Sequence, residues 1–529
     1  MTRRSGALTA VLAALWLSAP AAAAEPPPGG VAGVSVPRLP WVDCGQGFQC
    51  ATATVPRDYQ DPAAGTFELA LVRSPARDQA RRIGTLFLDP GGPGGSGVDL
   101  VRDEAADLAP LNARFDLVGF DPRGVGASRP AVDCLTDAEN ELFSRQPFLR
   151  PGLSVRGLRA GARYYGDRCL ERNPGVLPYV STANVARDLD LLRAAVGDAR
   201  LTYLGFSYGT AIGATYASLF GDRVRALVLD GAVQSATWHR DPIQAQDDFS
   251  AGFEQALDRF FARCAAEQAR CGFGGGDPKR AFDALLARLD AAPLRQPDGR
   301  VVDGDAMRLV ALASMYQPQL WQVLALAASR AEAGDGTIAR QVADVALGRD
   351  NQGHFDPAGD QLLSIFALDG EWPRGTGVYV RAGRRAARRY PHFFFNTGFP
   401  LLVYGTYPVR PRGVFRGPYH LTATAPAALV VGNRYDPATP YADAVALTRE
   451  LGNARLLTMD GDGHTAAFNG VSPCVDLSVT VYLVSLRLPP AGTVCPQQVE
   501  PFGPANGLTA EARRALDSVP PLPPPPLAR

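Results

Sequence analysis

A chain of 529 residues, 46% of them hydrophobic, holds enough apolar material for a large core and more than one structural unit. Its 53 basic and 53 acidic side chains cancel, so no whole-chain field of one sign recruits nucleic acid or an acidic membrane surface. Beyond the N-terminus no apolar run is long enough to cross a bilayer, and no internal repeat is present.

Residues 1–24 read as a secretory leader. Arg3 and Arg4 supply the positive start, and Ala7–Ser18 is apolar but too short to span. Ala22-Ala23-Ala24 offers a small-residue cleavage site before Glu25. No cysteine follows the apolar stretch to carry a lipid, so the expectation is export without stable membrane insertion. Eight cysteines fit that compartment: Cys44, Cys50, Cys134, Cys169, Cys264, Cys271, Cys474 and Cys495. Pairing of sequence neighbours, 44–50, 134–169, 264–271 and 474–495, is the expected pattern. A zinc site is the poorer reading, because no C-x-x-C pair exists and only five histidines are present.

From residue 25 to about 235, past the flexible Pro26–Gly30, strand-like and helix-like segments alternate. Thr85–Asp89, Phe115–Phe120, Leu201–Leu204 and Ala226–Asp230 are short apolar runs of the kind a parallel strand buried on both faces requires. Val185, Leu189, Leu192 and Val196 mark one helix face, with Ser181 or Thr182 to cap its start and Gly197 its end. Residues 236–420 are mainly helical by pattern (249–264, 278–291, 305–313, 320–333 and 338–347), which predicts an inserted cap or lid. Strand–helix alternation resumes over 421–510, with runs at Ala427–Val431 and Ala454–Met459 around a helix at Ala442–Leu451. The tail, 511–529, is proline-rich and favours extended backbone.

The chemistry centres on Gly205-Phe206-Ser207-Tyr208-Gly209, which follows the run Leu201–Leu204. A Gly-x-Ser-x-Gly pentapeptide between strand and helix lifts its serine above the end of a sheet. A serine hydroxyl needs a base to take its proton, and the base needs an acid to hold its tautomer. In α/β-hydrolase folds these follow in the order Ser, acid, His. Asp436 comes just after the run Ala427–Val431, and His464 just after Ala454–Met459. Both therefore fall at the carboxyl end of a strand, where sites of open α/β sheets are built. Asp462 and Asp230 are rival acids. Asp462 stands only two residues from His464 and suits a turn, while Asp230 suits the loop into the cap. His239, His354, His392 and His420 follow no core strand.

Negative charge on a carbonyl oxygen under attack requires preorganised N–H donors. The N–H of Tyr208 is one. Asp89-Pro90-Gly91-Gly92-Pro93-Gly94-Gly95-Ser96-Gly97, after the first core strand, is placed to give the other, with Gly92 preferred and Gly91 the alternative. A phosphate loop is disfavoured: no Gly-Lys-Ser/Thr ending exists and Pro93 lacks an N–H. No metal or organic cofactor is implied.

In these residues the chain resembles the prolyl and tripeptidyl aminopeptidase branch of α/β-hydrolase serine peptidases, most of all the secreted actinobacterial tripeptidyl-aminopeptidase type. The glycine loop, Asp121-Pro122-Arg123-Gly124-Val125-Gly126-Ala127-Ser128, Asn184–Asp190, the elbow, and the Asp436 and His464 loops stand in the order of that family. The resemblance implies an α/β-hydrolase core with a mostly parallel sheet and a helical cap. It also implies release of short N-terminal pieces from peptides with a free N-terminus, through an acyl-enzyme on Ser207. The family's cap pattern Ala-Ile-x-Cys-x-Asp corresponds to Ser364-Ile365-Phe366-Ala367-Leu368-Asp369. Ala367 replaces the cysteine, and Asp369 with nearby Glu371 become candidate anchors for the substrate ammonium. An esterase or lipase on the same fold is the alternative, and a non-catalytic binding protein a further one.

Overall fold

All six apolar runs become strands of a single ten-stranded sheet in the computed structural model, which describes Val31 and residues 33–144 and 154–502. The expected leader and the proline-rich tail lie outside the described residues. The core strands before the insertion are β1 (Val42–Asp43), β2 (Gln49–Asp58), β3 (Asp61–Ser74), β4 (Gly84–Asp89), β5 (Phe115–Phe120), β6 (Leu201–Phe206) and β7 (Val224–Asp230). A two-stranded hairpin, β8 (Leu294–Arg295) and β9 (Val301–Val302), lies within the insertion. After it come β10 (Ala428–Tyr435), β11 (Ala454–Asp462) and β12 (Val494–Pro496). The spatial order is β1-β2-β3-β5-β4-β6-β7-β10-β11-β12. Pairing is parallel from β5 through β12 and antiparallel from β1 to β5.

The parallel strands read as continuous apolar runs because helices cover both faces. Successive residues of β4 serve opposite layers: Phe87 packs with Val118, Tyr203 and Leu227, while Leu86 and Leu88 pack with Leu117, Leu204 and Val228. The antiparallel extension β2–β3 was not among the expected strands. Its signal is alternation, with Ala51, Ala53 and Val55 buried and Thr52 and Thr54 exposed between them. Small residues of modest hydropathy carry that signal, so it is weak in sequence.

The helix expected around Val185 runs Thr182–Ala195 and is buried on nearly every side. Its interior charges are paired: Asp188 with Arg123 (2.5 and 2.7 Å), and Asp190 with Arg193 (2.9 Å).

Between β7 and β10 the chain forms a mainly helical insertion with two distinct attachments. Up to Ala346 it builds its own core, from Phe253, Leu257, Phe260, Phe282, Met307, Trp321 and Leu324. From helix Ala358–Asp369 onward, Leu363, Ile365, Leu368, Tyr404 and Tyr407 join the core of the sheet beside helix Val155–Arg172, while Phe393 and Phe395 return to the core of the insertion. Disulfides join Cys44–Cys50, Cys134–Cys169, Cys264–Cys271 and Cys474–Cys495, the sequence-neighbour pattern.

Candidate active site

The turn from β6 into helix Gly209–Phe220 holds Ser207 at φ 54°, in the left-handed region that non-glycine residues rarely occupy. The crowding there is direct. A Cβ on Gly205 would lie 2.5 Å from the Tyr203 ring and 2.6 Å from the Gly209 carbonyl. The Ser207 N–H donates to the Asp230 carbonyl at 2.8 Å, and the Ser207 carbonyl accepts from Thr210 N at 2.9 Å to start the helix. Strain of this kind persists because both sides of the turn are tied.

His464 emerges two residues beyond β11 and is held at both ends. Its Nδ1 lies 2.9 and 3.0 Å from the two carboxylate oxygens of Asp436, and 3.3 Å from Thr439 Oγ1. Asp436 is itself fixed by N–H donors from Ala438 (2.9 Å) and Thr439 (2.8 Å). The insertion grips the same loop: His464 N donates to the Tyr316 carbonyl and Gln317 Nε2 to the His464 carbonyl, both at 2.7 Å. The imidazole side chain is 8% exposed, and its Nε2 has no partner among the described residues. His464 and Ser207 line the same cavity.

The two rival acids sit elsewhere. The Asp230 carboxylate accepts from Ala466 N (2.9 Å) and Ala467 N (2.8 Å), and burial pushes it up to about 6. It props the histidine loop from beneath while its own carbonyl holds Ser207, so one residue ties the two loops together. Asp462 is paired with Arg259 of the insertion, whose Nη2 lies 3.0 Å away, and Arg259 also covers the Tyr435 ring.

The glycine loop rides against the elbow. Gly91 and Gly92 have φ of 89° and 106°, and a Cβ on Gly91 would come within 2.4 Å of the Phe206 carbonyl and 2.8 Å of Tyr208 N. Only glycine permits that approach. The Gly91 N–H is spent on Asp89 Oδ1 at 2.9 Å, inside a pocket where burial pushes Asp89 up to about 7. Gly92, next in the chain, lines the cavity beside Ser207.

Asp369 and Glu371 do not line that cavity. Asp369 closes its helix facing the start of Thr182–Ala195, where orphan N–H groups need acceptors. It accepts from Thr182 N at 3.0 Å and from Thr182 Oγ1, which also meets the Tyr208 hydroxyl. Glu371 is exposed; its N–H donates to the His239 carbonyl at 2.7 Å and its carboxylate lies 3.9 Å from Arg416.

The cavity encloses about 800 Å³. Aromatic residues of the insertion form one wall, among them Trp238, Phe249, Tyr316, Phe366 and Tyr404. Its charged lining, apart from His464, is Asp99, Asp103, Glu104, Asp107 and Asp356, with no arginine or lysine among the described residues. Sequence reading missed this acidic wall. Four of its five carboxylates, Asp99, Asp103, Glu104 and Asp107, fall within ten residues after the glycine loop, a cluster that could have found it.

A Ser–His–Asp arrangement at the ends of β6, β10 and β11 beneath a helical insertion defines a serine hydrolase of the α/β-hydrolase fold. Residues 84–471 match the family model for that fold, and the chain belongs to this family. It is similar to serine protease Hip1 of Mycobacterium tuberculosis, at 36% identity over 475 residues, 86% of this chain and 89% of the relative. It is equally similar to carboxylesterase B of Mycobacterium tuberculosis, 36% identical over 92% of this chain and 96% of the relative. A tripeptidyl aminopeptidase of Streptomyces lividans is 32% identical over 88% of this chain and 87% of that one.

Proposed function

We propose that the chain is a serine exopeptidase that releases short N-terminal peptides, tripeptides in the first place, outside the cytoplasm. The observation that carries the assignment is the His464 ring, pinned through Nδ1 to Asp436 and with Nε2 unpartnered among the described residues, lining the same cavity as Ser207. Ser207 Oγ attacks the scissile carbonyl carbon as Nε2 takes its proton, and the oxyanion is received by the N–H groups of Gly92 and Tyr208. The C–N bond then breaks as the imidazolium returns the proton to the leaving amine, and water repeats the sequence to free the acyl group.

Two further observations support the exopeptidase reading. The acidic lining suits a substrate that enters with a free ammonium. Relatives over most of the chain bear the names serine protease and tripeptidyl aminopeptidase. Four disulfides support an extracytoplasmic setting, and no helix among the described residues is long and apolar enough to cross a membrane. Carboxylesterase action is the second reading, favoured by the name of one relative and by the shared acyl chemistry.

The test is a mixed peptide library, read by product mass, alongside aryl esters. Release of N-terminal tripeptides that stops on N-acetylation is the expected result. Ester hydrolysis with no cleavage of any unblocked peptide amide overturns the peptidase reading in favour of the esterase. Fluorophosphonate labelling, lost in Ser207→Ala, checks the nucleophile separately.

A further inference from the structure

The charge balance of the whole chain conceals a strong local imbalance. Between Trp372 and Tyr435 there are ten arginines and no carboxylate, although the chain overall carries 53 basic and 53 acidic side chains. Half of those arginines lie on one helix, Thr376–Arg389, at positions 381, 384, 385, 388 and 389, and all five are exposed. The opposite face of that helix, Tyr379, Ala382, Gly383 and Ala386, is buried against the body.

Arg385 and Arg389 reach Asp247 at 3.7 and 3.3 Å. Arg381, Arg384 and Arg388 have no ion-pair partner among the described residues. Their spacing, i, i+3 and i+7, sets them in a single stripe about 10 Å long on the helix surface. Like charges three and four residues apart destabilise a helix, and the helix dipole offsets this only in the last turn.

We propose that this stripe docks the protein on an anionic lipid surface. The stripe is convex and straight, so it meets a plane of headgroup phosphates without a groove. Single-stranded nucleic acid would need stacking rings beside the cations, but Tyr379 and Tyr390 are buried. A protein partner would need an apolar centre, yet between Arg381 and Arg389 the outward positions are arginines and Ala387. Binding is therefore electrostatic and peripheral, with the apolar face of the helix remaining in the protein core.

The experiment is co-sedimentation of the full mature protein with phosphatidylcholine vesicles, with and without about 30% phosphatidylglycerol, at about 0.05 M and about 0.5 M salt. Binding only to the anionic vesicles, and only at low salt, is expected. The triple variant Arg381→Gln, Arg384→Gln, Arg388→Gln loses at least about tenfold in binding. Its aryl-ester hydrolysis is unchanged, which also reports that it folds. A control with the same charge loss at scattered exposed positions that form no stripe, Arg200→Gln, Arg295→Gln, Arg487→Gln, keeps its binding. Absence of binding, equal loss in the control, or stripe-dependent capture of single-stranded oligonucleotide in place of vesicles overturns the proposal. If the triple variant does not fold, Arg384→Gln alone carries the comparison.

Discussion

Replacing Asp436 by Asn separates its role from that of the two rival acids, Asp230 and Asp462. Asp436 accepts from Ala438 N and Thr439 N through one oxygen, and both oxygens lie within 3.0 Å of His464 Nδ1. An asparagine oxygen keeps the two backbone donors, so the loop retains its shape. The amide nitrogen then faces Nδ1 as a donor, and the ring answers by moving its proton to Nε2. A protonated Nε2 cannot take the proton of Ser207. The expected loss in kcat/KM is about 10⁴-fold, or about 5.5 kcal/mol of transition-state stabilisation. Aryl-ester and peptide turnover are both read, with thermal unfolding as the control; the melting temperature falls by only a few degrees (about 2–4 °C), because the two short backbone bonds to one oxygen are kept and only the long 3.4 Å bond from Thr465 N is lost. The comparison variants are Asp230→Asn and Asp462→Asn. In the first, the new amide still offers one oxygen to Ala466 N and Ala467 N; in the second, the altered side chain faces Arg259 rather than the histidine, so each costs about tenfold or less. Retention of more than about a tenth of the activity in Asp436→Asn, with a large loss in either rival, would refute the assignment.

Gly91→Ala is expected to destabilise by about 2–4 kcal/mol and to remove activity, since the added methyl meets the Phe206 carbonyl at 2.4 Å at a φ of 89°; denaturant unfolding and ester turnover check both. Asp369→Ala strips the acceptor from Thr182 N and Oγ1 and costs about 2–4 kcal/mol of stability. The activity ratio between free and N-acetylated peptides should stay unchanged, whereas a collapsed ratio at full stability would make Asp369 an ammonium anchor after all. His392 bridges two helices of the insertion, with Nδ1 on Glu254 and Nε2 on Asp283. Burial opposes the charged ring, but those carboxylates raise its pKa above the ordinary imidazole value. Its stabilisation is thus fully present below about pH 6.5 and fades as pH rises through the raised folded value. The melting-temperature gap between wild type and His392→Gln should therefore narrow from about pH 6 to about pH 9, and a constant gap would disprove the linkage.

How much was legible in sequence follows from the range of each interaction. β4 to β7, β10 and β11 were visible because a strand buried on both faces must be apolar at every position, a local pattern. The hairpin β2–β3 escaped because Ala51, Ala53 and Val55 alternate with threonines in a run too mildly apolar to stand out. Ser207, Asp436 and His464 were each found as the loop residue after a core strand, and the sheet brings together the ends of three strands that are far apart along the chain. Tyr208 and Gly92 were preferred as oxyanion donors from the elbow and the glycine loop, and the structure adds that the Gly91 N–H is engaged by Asp89 Oδ1.

Asp369 was a candidate ammonium anchor through the family's cap pattern at Ser364–Asp369; in the fold it meets the start of a helix 187 residues earlier in the chain, a contact no local motif reveals. The acidic wall and the arginine stripe are of the same kind: every residue is plain in the sequence, while the sharing of a surface is not. By itself, then, the sequence determined the strand–loop–helix units, the order Ser207, Asp436, His464 at strand ends and the cysteine neighbours, because each rests on periodicity or adjacency. Only the tertiary structure decided which carboxylate reaches His464, which ones face the cavity and which arginines stand unpaired, because burial and charge pairing depend on the distance between segments in space.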